Sequence, residues 1–379
     1  MVYTTIASGT TGDVSIKANR GDTPIAAMAF ATEPGKYAVS QGAYDGTNQW
    51  SIAGYDNTGV STTASAVYAY TTRFISTANT LVAVGSALIA GGVTINVSNA
   101  GISDTQILMV LFFDKAGSAK TGTFQASGTK TITTGINQNI VISSAVHDNF
   151  SASAVADLQS VLGFAESGGT QVAHWRFSHD GQTTSNVLAY VAASAAAYGS
   201  KNSGVTSGRL TYDTFGATSF QSTDVDAIDS SVYVGYLALD MPNCHPYCGI
   251  LTTPTSTGAL NVTDPGFKVS SLLCLPNLVE ATDTIESDAT AEAYFVGTAP
   301  DNANAADSIG IGGYSQDNVS TTVTASEFYT GAVDDLVAVS PTETVAGGYF
   351  TSKPTGFQLT FSAVAAAGKK WPYLAFGDA

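Results

Sequence analysis

Three stretches of this chain close in the same way, and that recurrence constrains its fold more than any other feature. Residues 93–114 read VTINVSNAGISDTQILMVLFFD, residues 219–240 read SFQSTDVDAIDSSVYVGYLALD, and residues 357–378 read FQLTFSAVAAAGKKWPYLAFGD. Each is an alternating segment, a turn of polar or small residues, and a near-continuous apolar run that closes on an aspartate. Self-similarity of this kind marks a supersecondary unit copied along the chain. The middles of the first and third copies correspond as well. Ile52-Ala53-Gly54-Tyr55, Val60-Ser61-Thr62-Thr63 and Tyr68 match Ile311-Gly312-Gly313-Tyr314, Val319-Ser320-Thr321-Thr322 and Tyr329. In the second copy the nearest counterpart is Phe177-Ser178-His179-Asp180-Gly181 through Thr183-Thr184.

The openings form a further correspondence. Gly/Thr/Ser-rich leads, such as residues 122–128 and 249–254, run into a first apolar strand read at 25–30, 161–164 and 272–275. The implied domains are 1–114, 115–240 and 241–379, each large enough for one sandwich. Short joints at 115–118 and 241–243 leave little slack, so a semi-rigid row of domains is expected.

The copied unit reads as β-structure. In Val93-Thr94-Ile95-Asn96-Val97-Ser98 and Phe357-Gln358-Leu359-Thr360-Phe361-Ser362 the apolar residues recur with period two, which places them on one face of a strand. Runs rich in Val, Ile, Thr, Tyr and Phe are bounded by Gly, Asn, Asp and Pro. The closing runs 108–113 and 233–239 are apolar on both faces, as in strands covered on both sides. Helix signals are sparse: residues 153–162 are the best candidate, and 187–198 qualify through their alanine content. The expected fold is all-β, with three tandem antiparallel β-sandwich domains of jelly-roll or Greek-key type.

Composition narrows the function. Charged residues make up 12% of the chain, about half the usual ~25%, and the net charge is −16. So acidic a surface is repelled by phosphate backbones and by anionic lipid, so neither nucleic-acid binding nor membrane insertion is expected. The three cysteines Cys244, Cys248 and Cys274 are too few, and odd in number, for a disulfide framework. Cys244-His245-Pro246-Tyr247-Cys248 has a metal-like look, but no second Cys/His pair lies at usable spacing for zinc. The opening Met1-Val2-Tyr3-Thr4-Thr5-Ile6 has neither a basic nor an apolar leader region, so synthesis in a cytoplasm without a cleaved export signal is expected.

Residues with chemical potential are scattered. Alternation along His174-Trp175-Arg176-Phe177-Ser178-His179 puts His174, Arg176 and Ser178 on one face and Trp175, Phe177 and His179 on the other, which argues against a shared metal. Tyr44-Asp45-Gly46-Thr47-Asn48 and His179-Asp180-Gly181 read as Asp-Gly turns. Asp334 and Asp335 are strand neighbours that point apart and cannot act as an acid–base pair. Arg20-Gly21-Asp22 reads as a turn. No nucleophile elbow, phosphate-cradling loop or HExxH is present. No catalytic, cofactor or metal residues are therefore assigned, and no enzyme activity is expected. Among aromatics that could stack on sugars, Trp50, Tyr55, Trp175 and Tyr314 are the candidates for glycan contact, with Tyr68 and Tyr70 beside them.

Two edges of the unit carry a resemblance. Residues 251–258 followed by Val262 and Gly266-Phe267-Lys268-Val269, and the closing strands Tyr233-Val234-Gly235-Tyr236-Leu237-Ala238-Leu239 and Tyr373-Leu374-Ala375-Phe376, are similar to virion-associated β-sandwich repeat domains of tailed phages and prophages. Lys268-Val269 stands where those domains usually carry a proline. The resemblance implies a setting: a bacteriophage virion protein, assembled in the host cytoplasm and displayed on the particle as a capsid decoration, head spike or tail-associated component. The expected partners are other virion proteins and copies of itself in a homo-oligomer. The alternative is a receptor-binding adhesin that grips host surface glycans through loop aromatics, and a third reading is a depolymerase-type enzyme.

Overall fold

The computed structural model describes residues 2–378 apart from 19–20, 34–36, 57–64, 78–80, 101–104, 114–116, 148–149, 151–154, 157, 180, 184–185, 201–205, 226–231, 287–291, 301–308, 316–319, 321–323, 331–335 and 340–343. Among the described residues it is all-β, without a helix, and every pairing between the named strands is antiparallel; the isolated bridge between Val191 and Thr282 is parallel.

The first set of strands is β1 (Val2–Ile6), β2 (Gly12–Lys17), β3 (Ala26–Thr32), β4 (Tyr37–Tyr44), β5 (Gln49–Asp56), β6 (Ser65–Tyr70), β7 (Ile75–Thr77), β8 (Leu81–Ile89), β9 (Gly92–Ala100) and β10 (Gln106–Phe113). The second is β11 (Ser118–Gln125), β12 (Thr129–Thr133), β13 (Ile140–His147), the two-residue β14 (Val155–Ala156), β15 (Leu158–Glu166), β16 (Gln171–Ser178), β17 (Val187–Ala192), β18 (Ala197–Ser200), β19 (Thr206–Phe215), β20 (Ser219–Asp224) and β21 (Val232–Asp240). The third is β22 (Cys244–Thr252), β23 (Gly258–Val262), β24 (Val269–Cys274), β25 (Glu292–Pro300), β26 (Ile309–Ser315), β27 (Thr324–Thr330), β28 (Leu336–Val339), β29 (Thr344–Lys353), β30 (Gly356–Ala363) and β31 (Lys370–Asp378).

Each set builds one large and one small sheet in the same order. The large sheets run β1-β10-β3-β4-β5-β6, β11-β21-β13-β15-β16-β17 and β22-β31-β24-β25-β26-β27, and β14 extends the first of them beyond β6. The small sheets run β2-β9-β8-β7, β12-β20-β19-β18 and β23-β30-β29-β28. In each set the large and small sheets enclose one core. The first contains Ile16, Tyr44, Phe74, Val93, Ile95, Leu108 and Val110. The second holds Trp175, Phe177, Leu210, Phe220 and Val234, and the third Phe350, Phe357, Leu359, Trp371 and Tyr373.

The other face of each large sheet is buried too. A fourth cluster joins Met28, Trp50, Ile52, Met109 and Leu111 from the first set, Ile142, Leu162, Phe164 and Leu237 from the second, and Leu273, Ile311 and Leu374 from the third. The closing strands display the division residue by residue. In β10, Leu108, Val110 and Phe112 enter the sandwich core, while Met109, Leu111 and Phe113 enter the shared cluster. Strand β31 does the same with Tyr373 and Ala375 against Leu374 and Phe376. Apolarity on both faces, read from sequence, is thus answered by two different cores.

The three large sheets pack cyclically. The last strand of one set lies on the fifth position of another: β21 on β5, β31 on β16 and β10 on β26. The fourth position meets the sixth in the same rotation: β15 on β6, β25 on β17 and β4 on β27. The sandwiches therefore form a closed ring about a pseudo-threefold axis and not the row expected from the short joints. Those joints limit the span between neighbours, but they do not set the angle. Burial of the second apolar face sets it.

Where they are described, neither helix candidate is helical: the first gives β14 and the start of β15, and the second gives β17, a bend and the start of β18. Residues 158–162 belong to β15, where Val161 faces the second sandwich core and Leu162 the shared cluster. Residues 187–192 form β17, with Leu188 and Tyr190 in that sandwich core and Ala189 and Val191 against Val279. Two-sided burial overrides the helical propensity of alanine and leucine. The opening read at 161–164 is also displaced: it falls in β15, whereas β13 occupies the third position held by β3 and β24. Its run IVISSAVH is interrupted by two serines, but Ser143 Oγ donates to Ala196 O at 2.6 Å, so the polar pair is accommodated inside the strand.

Because the cores meet at one cluster, thermal or denaturant unfolding should be a single transition across all three sandwiches. Leu237→Ala, at a fully buried position in that cluster, should lower stability by about 2–5 kcal/mol. Calorimetry with intrinsic fluorescence checks both; separate transitions for separate sandwiches would contradict the shared core.

Candidate functional site

Among the described residues, the densest group of chemically capable side chains lies where the first and second sandwiches meet. Alternation in β16 turns His174, Arg176 and Ser178 away from the core that holds Trp175 and Phe177, as the sequence pattern requires. Opposite them stands Asp56, the last residue of β5. Its Oδ2 accepts a hydrogen bond from Ser178 Oγ at 3.0 Å and pairs with Arg176 Nη2 at 3.6 Å. Nearby, Gln41 on β4 donates through Nε2 to Ser144 Oγ and to Val161 O, the latter at 2.6 Å. Trp50 Nε1 donates to Tyr236 O at 2.8 Å. The closeness of that docking explains a glycine inside an apolar strand: a Cβ on Gly235 would lie 2.6 Å from the Trp50 ring.

The acid–base types here suggest chemistry, but their burial assigns them another role. His174 and Arg176 are fully buried, and Asp56 is 1% exposed. Burial, with the Arg176 charge adding to it, pulls the His174 pKa from 6.5 down to about 3, so the imidazole is neutral at ordinary pH. These atoms lie inside the interface, away from solvent. What they do is fix how two sandwiches sit on one another, because a buried ion pair tolerates only the arrangement that keeps its partners together.

The interface extends through turns. The Asp-Gly turn between β4 and β5 forms as read: Asp45 Oδ1 accepts from Thr47 N at 2.8 Å and Asn48 N at 2.6 Å, and Gly46 has φ of 90°. The other carboxylate oxygen of Asp45 accepts from Thr121 N on β11 at 2.8 Å, so the turn ties two sandwiches together. Between the second and third sandwiches, Asp283 accepts from Tyr190 Oη at 3.1 Å and Ala193 N at 3.2 Å. Cys248 Sγ donates to Thr170 O at 3.0 Å. The three cysteines are unpaired. Burial raises the thiol pKa of all three, that of Cys244 to about 11, which keeps them protonated and unreactive.

Two of the glycan-contact candidates are corrected. Trp50 and Trp175 are fully buried, the first in the shared cluster and the second in a sandwich core, where Phe177 stacks on it at 5.7 Å. Their rings are consumed by packing, the commoner fate of large aromatics. Tyr55 is half-buried on β5, and so is Tyr68 on β6, while Tyr70 is buried with Arg73 over its ring. Tyr314 lies in β26, and its side chain is outside the described residues, as are Arg20, Asp180, Asp334 and Asp335. The structure does not bring Trp50, Tyr55 and Trp175 to one surface. Among the described residues no group of three or more His, Cys, Asp or Glu could hold a metal, and no helix is long and apolar enough to cross a membrane.

The outward faces of the small sheets are polar ladders: Ser15 with Thr94, Asn96 with Asp13, Thr129 with Thr223, and Gln358 with Asn261. Compared with protein families, with curated proteins and with solved structures, the chain matches none.

Removing Asp56 leaves a guanidinium buried, so Asp56→Ala should cost about 3–5 kcal/mol, while Asp56→Leu combined with Arg176→Met should recover most of it. Denaturant titration of the three proteins checks this. For His174 the unfolded state binds a proton near pH 6.5 and the folded state only near 3. Stability is therefore full above pH 6.5 and falls through that window by up to about 1.4 kcal/mol per pH unit. His174→Leu should flatten that part of the pH–stability curve.

Proposed function

We propose that this protein is a structural component on the surface of a bacteriophage particle, a capsid decoration, head spike or tail-associated protein, which acts by binding neighbouring virion proteins rather than by catalysis. The observation that carries the reading is the cyclic packing of the three sandwiches around one core. It gives a single chain a body with pseudo-threefold symmetry. Particles built on point-group symmetry offer threefold surroundings, and such a body can make three similar contacts there. The resemblance of its closing strands to virion-associated domains points the same way. So does a surface of net charge −16, which suits an exterior position away from packaged nucleic acid.

The adhesin alternative loses support, because its two tryptophans are spent on packing. A role in assembly needs no cleft: it needs a rigid body and polar faces that stay soluble until they meet a partner.

The test is to purify particles from a lysing host by density gradient and to locate the chain by mass spectrometry and particle imaging. The expected result is co-sedimentation at fixed stoichiometry, with density for three sandwich lobes on the particle surface. Finding the chain only in the soluble fraction, with none in intact particles, would overturn the proposal.

A further inference from the structure

Strand β6 ends the first large sheet's meander, and its outer edge is covered by β14, which comes from the connection between β13 and β15: Val155 pairs with Val67 and Ala156 with Ala66. The outer edge of β17 is covered in the corresponding way by the connection between β24 and β25. Ala189 N donates to Glu286 O at 2.9 Å, Glu286 N returns the bond to Ala189 O at 3.0 Å, and Asp283 N donates to Val191 O at 2.8 Å. In each case the next sandwich of the ring lends a short segment to its neighbour's edge: the two-residue strand β14 at β6, and at β17 two isolated bridges, Glu286 opposite Ala189 and Thr282 opposite Val191, with a turn at Asp283 between them.

The ring makes the first sandwich the donor for β27, since β4 lies on β27 as β15 lies on β6 and β25 on β17. The donor segment would be the connection between β3 and β4. It spans only residues 33–36, against 148–157 and 275–291 in the other two sandwiches. Among the described residues β27 pairs with β26 alone. An edge of this kind is a template for another strand.

We propose that the outer edge of β27 (Thr324–Thr330) is a docking site for an extended arm of a neighbouring virion protein, added as a further strand in the place that β14 and residues 282–286 fill on the other two edges. This rests on the virion reading above. Two observations define the occupant. The covers at the equivalent edges are slender, a few residues each, and the first sandwich already lies against β27, so an arm fits where a second folded body of this size does not. A chain with 30 acidic and 14 basic residues favours an arm that is neutral or basic. Backbone hydrogen bonds supply the attraction in such strand addition, and alternate side chains set the register.

Hydrogen–deuterium exchange on the full chain, free and in purified particles, tests the inference. Amides of β6 and β17 should be protected in both states, and alternate amides of β27 should exchange at least tenfold more slowly in particles than in the free protein. Two variants accompany it, Ser326→Pro and Glu327→Pro. One of these neighbouring positions turns its N–H outward, so one variant should keep the wild-type melting temperature and yet enter particles at least tenfold less well. Equal protection of β27 in the free chain and in particles, or normal incorporation of the variant that folds, would overturn the docking site. Absence of the chain from particles would instead overturn the virion reading.

Discussion

Everything in this fold follows from sheets that are apolar on both faces. In β10 and β31 successive residues alternate between a sandwich core and the shared cluster, so each large sheet needs two covers. Its own small sheet supplies one. The second must come from elsewhere, and three equivalent sheets can satisfy one another only by turning inward together. A row of sandwiches would leave much of that second face in water. At roughly 25 cal/mol per Å² of apolar surface, exposing several large side chains per sheet would cost more than the short joints could offset.

The same constraint explains where the polar chemistry went. Once the sheets converge, any polar residue on the inward face needs a partner. Asp56 with Arg176 and Ser178, Gln41 with Ser144, and Trp50 with Tyr236 O are those partners. They join the first and second sandwiches and give that interface a fixed register that apolar packing alone would leave looser. The outward faces, relieved of any packing role, are Thr, Ser, Asn and Gln ladders with an acidic surround. A body built in this way has its acid–base groups inside and polar faces outside, the arrangement on which the proposed assembly role rests.

Much of this was legible in sequence, for a physical reason. A strand's period of two is written directly in residues such as 93–98 and 357–362, and the three closing blocks do coincide with the last two strands of their sets. Two-sided apolarity identified the central strands. The third dimension was not legible. The blocks share length and strand content but not phase: counting back from the closing aspartate, Leu111 and Leu237 share an offset and face the centre, whereas the residue at that offset in the third block, Ala375, faces its sandwich core. A shift of one residue reverses the face, and nothing in the block itself reveals it. The alanine-rich 187–198 looked helical because local propensity cannot register that both faces of its first part, β17, would be covered. Trp50 and Trp175 looked available for ligands because an aromatic in a strand reads the same whether it meets water or another sheet. The signals for the interface were present but weak: Gln41 between Val39 and Ala43, Ser144 in an apolar strand, and the lone Gly235 in an apolar run are each a local anomaly whose explanation is a neighbour more than a hundred residues away.

The claim on which the account stands is that the three sandwiches close on one another. Small-angle X-ray scattering from the monodisperse single chain measures this without reference to any partner. A closed body of 379 residues should have a radius of gyration of about 21 Å and a near-symmetric distance distribution. A value of about 30 Å or more, with the long tail of an elongated particle, is what three sandwiches in a row would give, and it would contradict the shared core.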